Sequence, residues 1–76
     1  MGGLKPISWR IFDKFLLSQG CRLLRIRGDH LIYSRDGLHR PLVVPKVKNI
    51  PVFILQNNLR ILQIDTHVFS QWMQDN

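Results

Sequence analysis

The sequence predicts an α+β domain: a helix, a three-stranded antiparallel sheet, a second helix and a short C-terminal helix. Three observations predict it. Apolar residues recur at helical spacing up to Gly20 and alternate from Cys21 onward. The dipeptides Gly28-Asp29 and Asp36-Gly37 stand where hairpin turns would join the alternating runs. Helical spacing then returns after Asn49.

The first helix follows Ser8, a side chain suited to capping the free N–H groups of a first turn, and stops at Gly20. Trp9, Phe12 and Leu16, with Ile11 and Phe15, form its apolar stripe, and Ile7 is placed to staple onto Phe12. Leu24 to Arg27 and Leu31 to Tyr33 read as strands joined by Gly28-Asp29, where a glycine at the first loop position suits a type II′ turn. Asp36-Gly37 suits a type I′ turn, and Leu38 to Val44 supplies a third strand that Pro45 ends. Asn49 is the expected cap of the second helix, with Pro51 in its first turn and Phe53, Ile54, Leu55, Leu59 and Leu62 on its apolar side. A last helix capped by Asp65 or Thr66 carries Val68, Phe69, Trp72 and Met73. Elements with one apolar side each must share a core, so the helices are expected to cover one face of the sheet.

Seventy-six residues, 45% of them hydrophobic, make one domain with a small core and exclude a two-domain cofactor enzyme. No apolar run approaches the ~20 residues of a membrane-spanning helix. One cysteine, Cys21, makes no internal disulfide and reads as a small apolar core residue. The first residues lack the apolar stretch of a secretion signal, and Pro6 stands where a myristoylation signal needs Ser or Thr, so the expected location is the cytoplasm.

The formal charge of +6 is concentrated. Arg22 to Lys48 holds seven of the eleven basic residues and two acids, a net +5. Such a segment is the footprint of a polyanion partner, because each neutralised phosphate releases condensed counterions. It makes Arg25, Arg27, Arg40, Lys46 and Lys48 the candidates for holding a nucleic-acid backbone.

With a two-residue first loop, Arg27 pairs with His30, Ile26 with Leu31, Arg25 with Ile32 and Leu24 with Tyr33. Leu24, Ile26, Leu31 and Tyr33 then share the core face, and Arg25, Arg27, His30 and Ile32 the other. A two-residue second loop sets Leu42 opposite Leu31, Val43 opposite His30 and His39 opposite Ser34. The uncovered face is expected to present a histidine flanked by two arginines. RNA carries its own nucleophile, the 2′-hydroxyl, so its cleavage needs a proton acceptor, positive charge at the phosphate and a proton for the leaving oxygen. Imidazole exchanges protons near neutral pH and arginine binds phosphate, which makes His30 the candidate catalytic residue. The plain alternative is a surface histidine beside a turn. His39, roughly 13 Å from His30 at the usual rise per strand residue, is too far away to pair with it, and His67 reads as a polar-face residue. No zinc-ligand spacing, phosphate-binding glycine loop or nucleophile elbow is present, so neither metal nor cofactor is expected.

Taken in order, Leu4-Lys5-Pro6-Ile7-Ser8-Trp9, Gly20, Leu24-Arg25-x-Arg27-Gly28-Asp29-His30-Leu31-Ile32-Tyr33, Val43-Val44-Pro45, Leu59-Arg60-x-Leu62 and Asp65-x-x-x-Phe69 resemble the HicA (YcfA-like) toxins of bacterial toxin–antitoxin pairs. The resemblance covers nearly the whole chain and implies a double-stranded-RNA-binding-domain-like fold acting as an mRNA interferase. It also implies that His30, in the Gly-[Ser/Asp]-His position, is catalytic, and that a HicB-type antitoxin covers the active face and provides any contact with DNA. Asp29 replaces the commoner serine, and Lys46-Val47-Lys48 stands where many members carry a histidine.

The reading is therefore a metal-independent endoribonuclease toxin, with His30 as general acid/base and the basic segment holding the mRNA backbone. The runner-up is a non-catalytic RNA-binding module of the same fold. A protein-interaction domain that binds one acidic partner is the third.

Overall fold

A computed structural model describes residues 3–76 of the chain. Helix α1 spans Trp9–Ser18, with the Ser8 hydroxyl accepting from the Arg10 N–H. Its end is set by Gly20, whose φ of +86° lets the Cys21 N–H reach back to the Leu16 carbonyl at 3.0 Å. Both boundaries are those the sequence predicts.

Strands β1 (Arg22–Arg27), β2 (His30–Ser34) and β3 (Leu42–Pro45) form an antiparallel sheet in the order β1-β2-β3. The first hairpin has the expected two-residue loop: Arg27 pairs with His30, Ile26 with Leu31 and Arg25 with Ile32, and Gly28 turns with φ +56°. Beyond Arg25 the ladder departs from expectation. Leu24 is an extra residue, a β-bulge, and Leu23 takes its place opposite Tyr33.

The second connection also differs. It runs over seven residues, 35–41, and β3 begins at Leu42 instead of Leu38. The Leu38 N–H bonds back to the Arg35 carbonyl, and Gly37, third in that turn, has φ +85° while Asp36 keeps a negative φ. A turn with positive φ at its third position only is not of the primed kind whose twist matches two hairpin strands, so the chain loops on before pairing. Leu42 lies opposite Tyr33 and Pro45 opposite His30, a shift of two residues from the expected register. A two-residue shift leaves each side chain on its expected face. His39 is thereby carried off the sheet into the loop.

Helix α2 spans Val52–Leu62, with Pro51 at the N-cap position in place of the expected Asn49 and no side-chain cap. Its buried side is Leu55, Asn58, Leu59 and Leu62; Phe53 is 70% exposed, contrary to its expected place in the core. At 100° per residue, Phe53 lies about 200° around the helix from Leu55, on the solvent side. Helix α3, Thr66–Asp75, is as long as α1 and is capped by Asp65, which accepts from the His67 N–H at 2.7 Å.

The core lies between the helices and one sheet face. Leu31, Tyr33, Leu42 and Val44 meet Phe12, Phe15 and Leu16 of α1, Leu55, Leu59 and Leu62 of α2 and Phe69 of α3. Phe15 and Phe69 pack edge to face at 4.7 Å between ring centres, and Trp72 closes on Phe15 at 5.3 Å. Cys21 is buried there as expected. The helices do not reach the free edge of the sheet, so Ile26 remains 52% exposed although it pairs with buried Leu31. Leu24 on its bulge is likewise exposed.

Arg35, just past β2, ties this layer together. Its guanidinium donates to the Gln19 carbonyl at the end of α1 (3.4 Å) and to the Leu62 carbonyl at the end of α2 (3.2 Å), two groups left without partners by helix termination. Among the described residues, no helix is long and apolar enough to cross a membrane.

Candidate nucleic-acid interface

The face of the sheet away from the helices is built by strand alternation. Residues paired across an antiparallel ladder point the same way, so Arg27 and His30, Arg25 and Ile32, and Arg22 and Ser34 share this face with Val43 and Pro45. Ile32 is buried yet lies outside the core cluster. Arg27, Gly28, His30, Ile32 and Val43 line a shallow depression of about 570 Å³.

The local chemistry of this depression is simple. His30 and Arg27 are exposed and occupy facing positions beside the tight turn at Gly28-Asp29. Among the described residues, no carboxylate lines the depression. Asp29, next to His30, is in the turn, where its carbonyl accepts from the Lys46 N–H at 2.7 Å. That bond extends the β2–β3 pairing by one step and brings the Lys46 stretch beside the same end of the sheet.

Lys46 also meets an aromatic side chain from the apolar stripe of α1. Its ammonium lies 5.5 Å from the centre of the half-buried Trp9 ring, and the Arg10 guanidinium lies 4.7 Å from it. The Trp9 N–H bonds to the Val47 carbonyl, which holds the start of α1 against this loop. A tryptophan bracketed by two cations is a feature of the His30 end of the molecule.

The sequence-predicted residues therefore separate into two groups. Arg25, Arg27 and His30 come together on the open face, with Lys46 beside them and Lys48 exposed in the following loop. Arg40 does not join them. It lies in the 35–41 loop at the opposite end of β2, where it lines a separate groove with Arg35, His39 and Arg60. Arg60 is a positively charged neighbour that no sequence spacing connects to Arg40. His67 is exposed on α3 and lines neither depression.

Two groups have perturbed acidity, and both face the core. Burial, then the hydrogen bond from its hydroxyl to Asp13 at 2.5 Å, raises the Tyr33 phenol far above its ordinary range. Burial raises the Cys21 thiol, partly offset by the nearby Arg35 charge, which is the direction that makes a cysteine less reactive.

No protein-family model matches the chain, and comparison with curated proteins and with solved structures returns no match.

Proposed function

We propose that the chain is a metal-independent endoribonuclease of the HicA type. In this reading it has a double-stranded-RNA-binding-domain-like fold, acts on mRNA in the cytoplasm as the toxin of a toxin–antitoxin pair, and is neutralised by a HicB-type antitoxin. The observation that carries it is the exposed pairing of His30 with Arg27 on the open sheet face, inside a depression lined by no carboxylate. A phosphodiester laid there meets positive charge from Arg25 and Arg27 and one group able to exchange a proton.

The reaction proceeds through the substrate's own nucleophile. His30 removes the proton of a 2′-hydroxyl, the 2′-oxygen bonds to the adjacent phosphorus, and the bond from phosphorus to the 5′-oxygen breaks. Arginine side chains bind the non-bridging oxygens as charge builds on them. The leaving 5′-oxygen takes its proton from solvent, to which this face is open. The products are a 2′,3′-cyclic phosphate and a 5′-hydroxyl.

Purified protein and its His30→Ala variant, incubated with RNA in chelator, test the reading. Loss of a general acid/base is expected to slow cleavage by about 10²- to 10⁴-fold. His30 is exposed, so the substitution is expected to change stability by no more than about 0.5 kcal/mol. Cleavage by His30→Ala at the parent rate would remove the assignment.

A second reading has its own support. No side-chain hydrogen bond orients the His30 ring among the described residues, whereas catalytic imidazoles are commonly held by a second group. A non-catalytic RNA-binding module predicts RNA affinity that falls with salt at a log–log slope of about −0.7 per phosphate contact. That affinity would be indifferent to His30→Ala, and no cleavage product would form.

A further inference from the structure

A second concentration of positive charge lies at the far end of β2 from His30. A groove of about 420 Å³ opens there between the 35–41 loop and the last turn of α2. Arg35, His39, Arg40 and Arg60 line it, with half-buried Leu38 and Ile61 among its apolar residues. The three arginines come from two separate places in the chain, the 35–41 loop and the end of α2, and no acidic side chain among the described residues lines the groove. The adjacent acid, Asp36, is turned to Arg22, with which it forms an exposed ion pair at 3.4 Å.

Gathering like charges costs free energy through mutual repulsion unless an anion is there to be bound. The end of a helix adds a further obstacle, since its free carbonyls repel anions. Arg35 removes that obstacle. Its guanidinium donates to the Leu62 carbonyl at the end of α2, which lines the groove, and to the Gln19 carbonyl at the end of α1, and this offsets the negative potential of those carbonyls. Arg40 and Arg60 are exposed and engaged in no ion pair among the described residues, so both guanidinium forks are available. Forked donors match the oxygens of a phosphodiester, and apolar side chains beside them suit a ribose face.

The groove is also connected to the His30 site. Arg35 is five residue steps along extended chain from His30, about 16 Å at the usual rise. Along the open face between them, β1 presents Arg25 opposite Ile32 and Arg22 opposite Ser34. An exposed pair such as Arg22–Asp36 contributes little and exchanges readily for a phosphate.

We propose that the Arg40/Arg60 groove is a second phosphate-binding site for the same RNA that lies against His30. The ligand is then a strand long enough to run the length of β2 and turn its end. This inference rests on the RNA-binding reading given above.

The test uses full-length protein carrying His30→Ala, so that RNA survives, with and without Arg40→Ala and Arg60→Ala. Binding is followed by fluorescence anisotropy with single-stranded RNAs of about four and about twelve nucleotides, within the usual site sizes of single-strand binders. The short RNA is expected to bind both proteins alike. The long RNA is expected to bind the groove variant about tenfold more weakly, with a log–log salt slope shallower by about 1.4, or two contacts. Arg40→Lys with Arg60→Lys, which retains the charge, is expected to recover most of the slope, and this separates loss of charge from loss of fold. An unchanged slope and affinity for the long RNA would overturn the second site while leaving the RNA-binding reading intact. Absence of binding by the His30→Ala protein to either RNA would overturn both.

Discussion

Tyr33→Phe removes one hydroxyl from the centre of the molecule. Tyr33 is fully buried on β2, and its O–H donates to Asp13 of α1 at 2.5 Å, so the substitution unties the sheet from the first helix without changing ring packing. A hydrogen bond to a charged group contributes about 1.5–3 kcal/mol, and half-buried Asp13 recovers part of that by taking up water. A loss of about 1–2 kcal/mol is expected, read as a lower urea midpoint at unchanged m-value. The same bond has a pH signature. The folded phenol has its pKa raised above the ordinary value of 10.0, first by burial and then by Asp13. A raised pKa means that the contribution is complete below about pH 10 and is lost as pH rises past the unfolded value toward the folded one. The parent's stability should therefore fall by up to about 1.4 kcal/mol per pH unit more steeply than that of Tyr33→Phe above about pH 10. Tyr33 is the chain's one tyrosine, so phenolate absorbance reports it alone. That absorbance is expected to appear together with loss of helical circular dichroism. A phenol that titrates near pH 10 while the fold persists, or a Tyr33→Phe protein as stable as its parent, would refute the reasoning.

Arg35→Ala removes the donor shared by the ends of α1 and α2 and is expected to cost about 2 kcal/mol; Arg35→Lys, with a point charge in place of a fork, should recover only part, as measured by denaturant midpoint. Phe53→Glu should leave thermal stability within about 0.5 kcal/mol, because the ring is 70% exposed; a cost of several kcal/mol would return Phe53 to the core. Gly28→Ala places a Cβ on a residue with φ +56° in open space, so strain of about 1–2 kcal/mol is expected with no steric clash, visible as a lower melting temperature.

Much of the molecule is legible from local chemistry. The cap at Ser8, the stop at Gly20 and the two-residue turn at Gly28-Asp29 depend on a few neighbouring residues, and the structure bears out all three. The turn is also what sets Arg27 against His30, so the centre of the candidate site follows from sequence-adjacent residues. Tertiary structure decides what depends on distant partners. The β2–β3 register moved by two residues, to which a period-two pattern is blind because each side chain keeps its face. Whether an apolar residue is covered depends on where the helices end over the sheet: Ile26 and Phe53 have core-like chemistry, yet both remain more than half exposed. Arg40 reads in sequence as one more member of the basic segment. Only chain closure places it beside Arg60, twenty residues on, and away from His30, because the contact is made by the end of a helix meeting the end of a sheet and leaves no periodic mark in either.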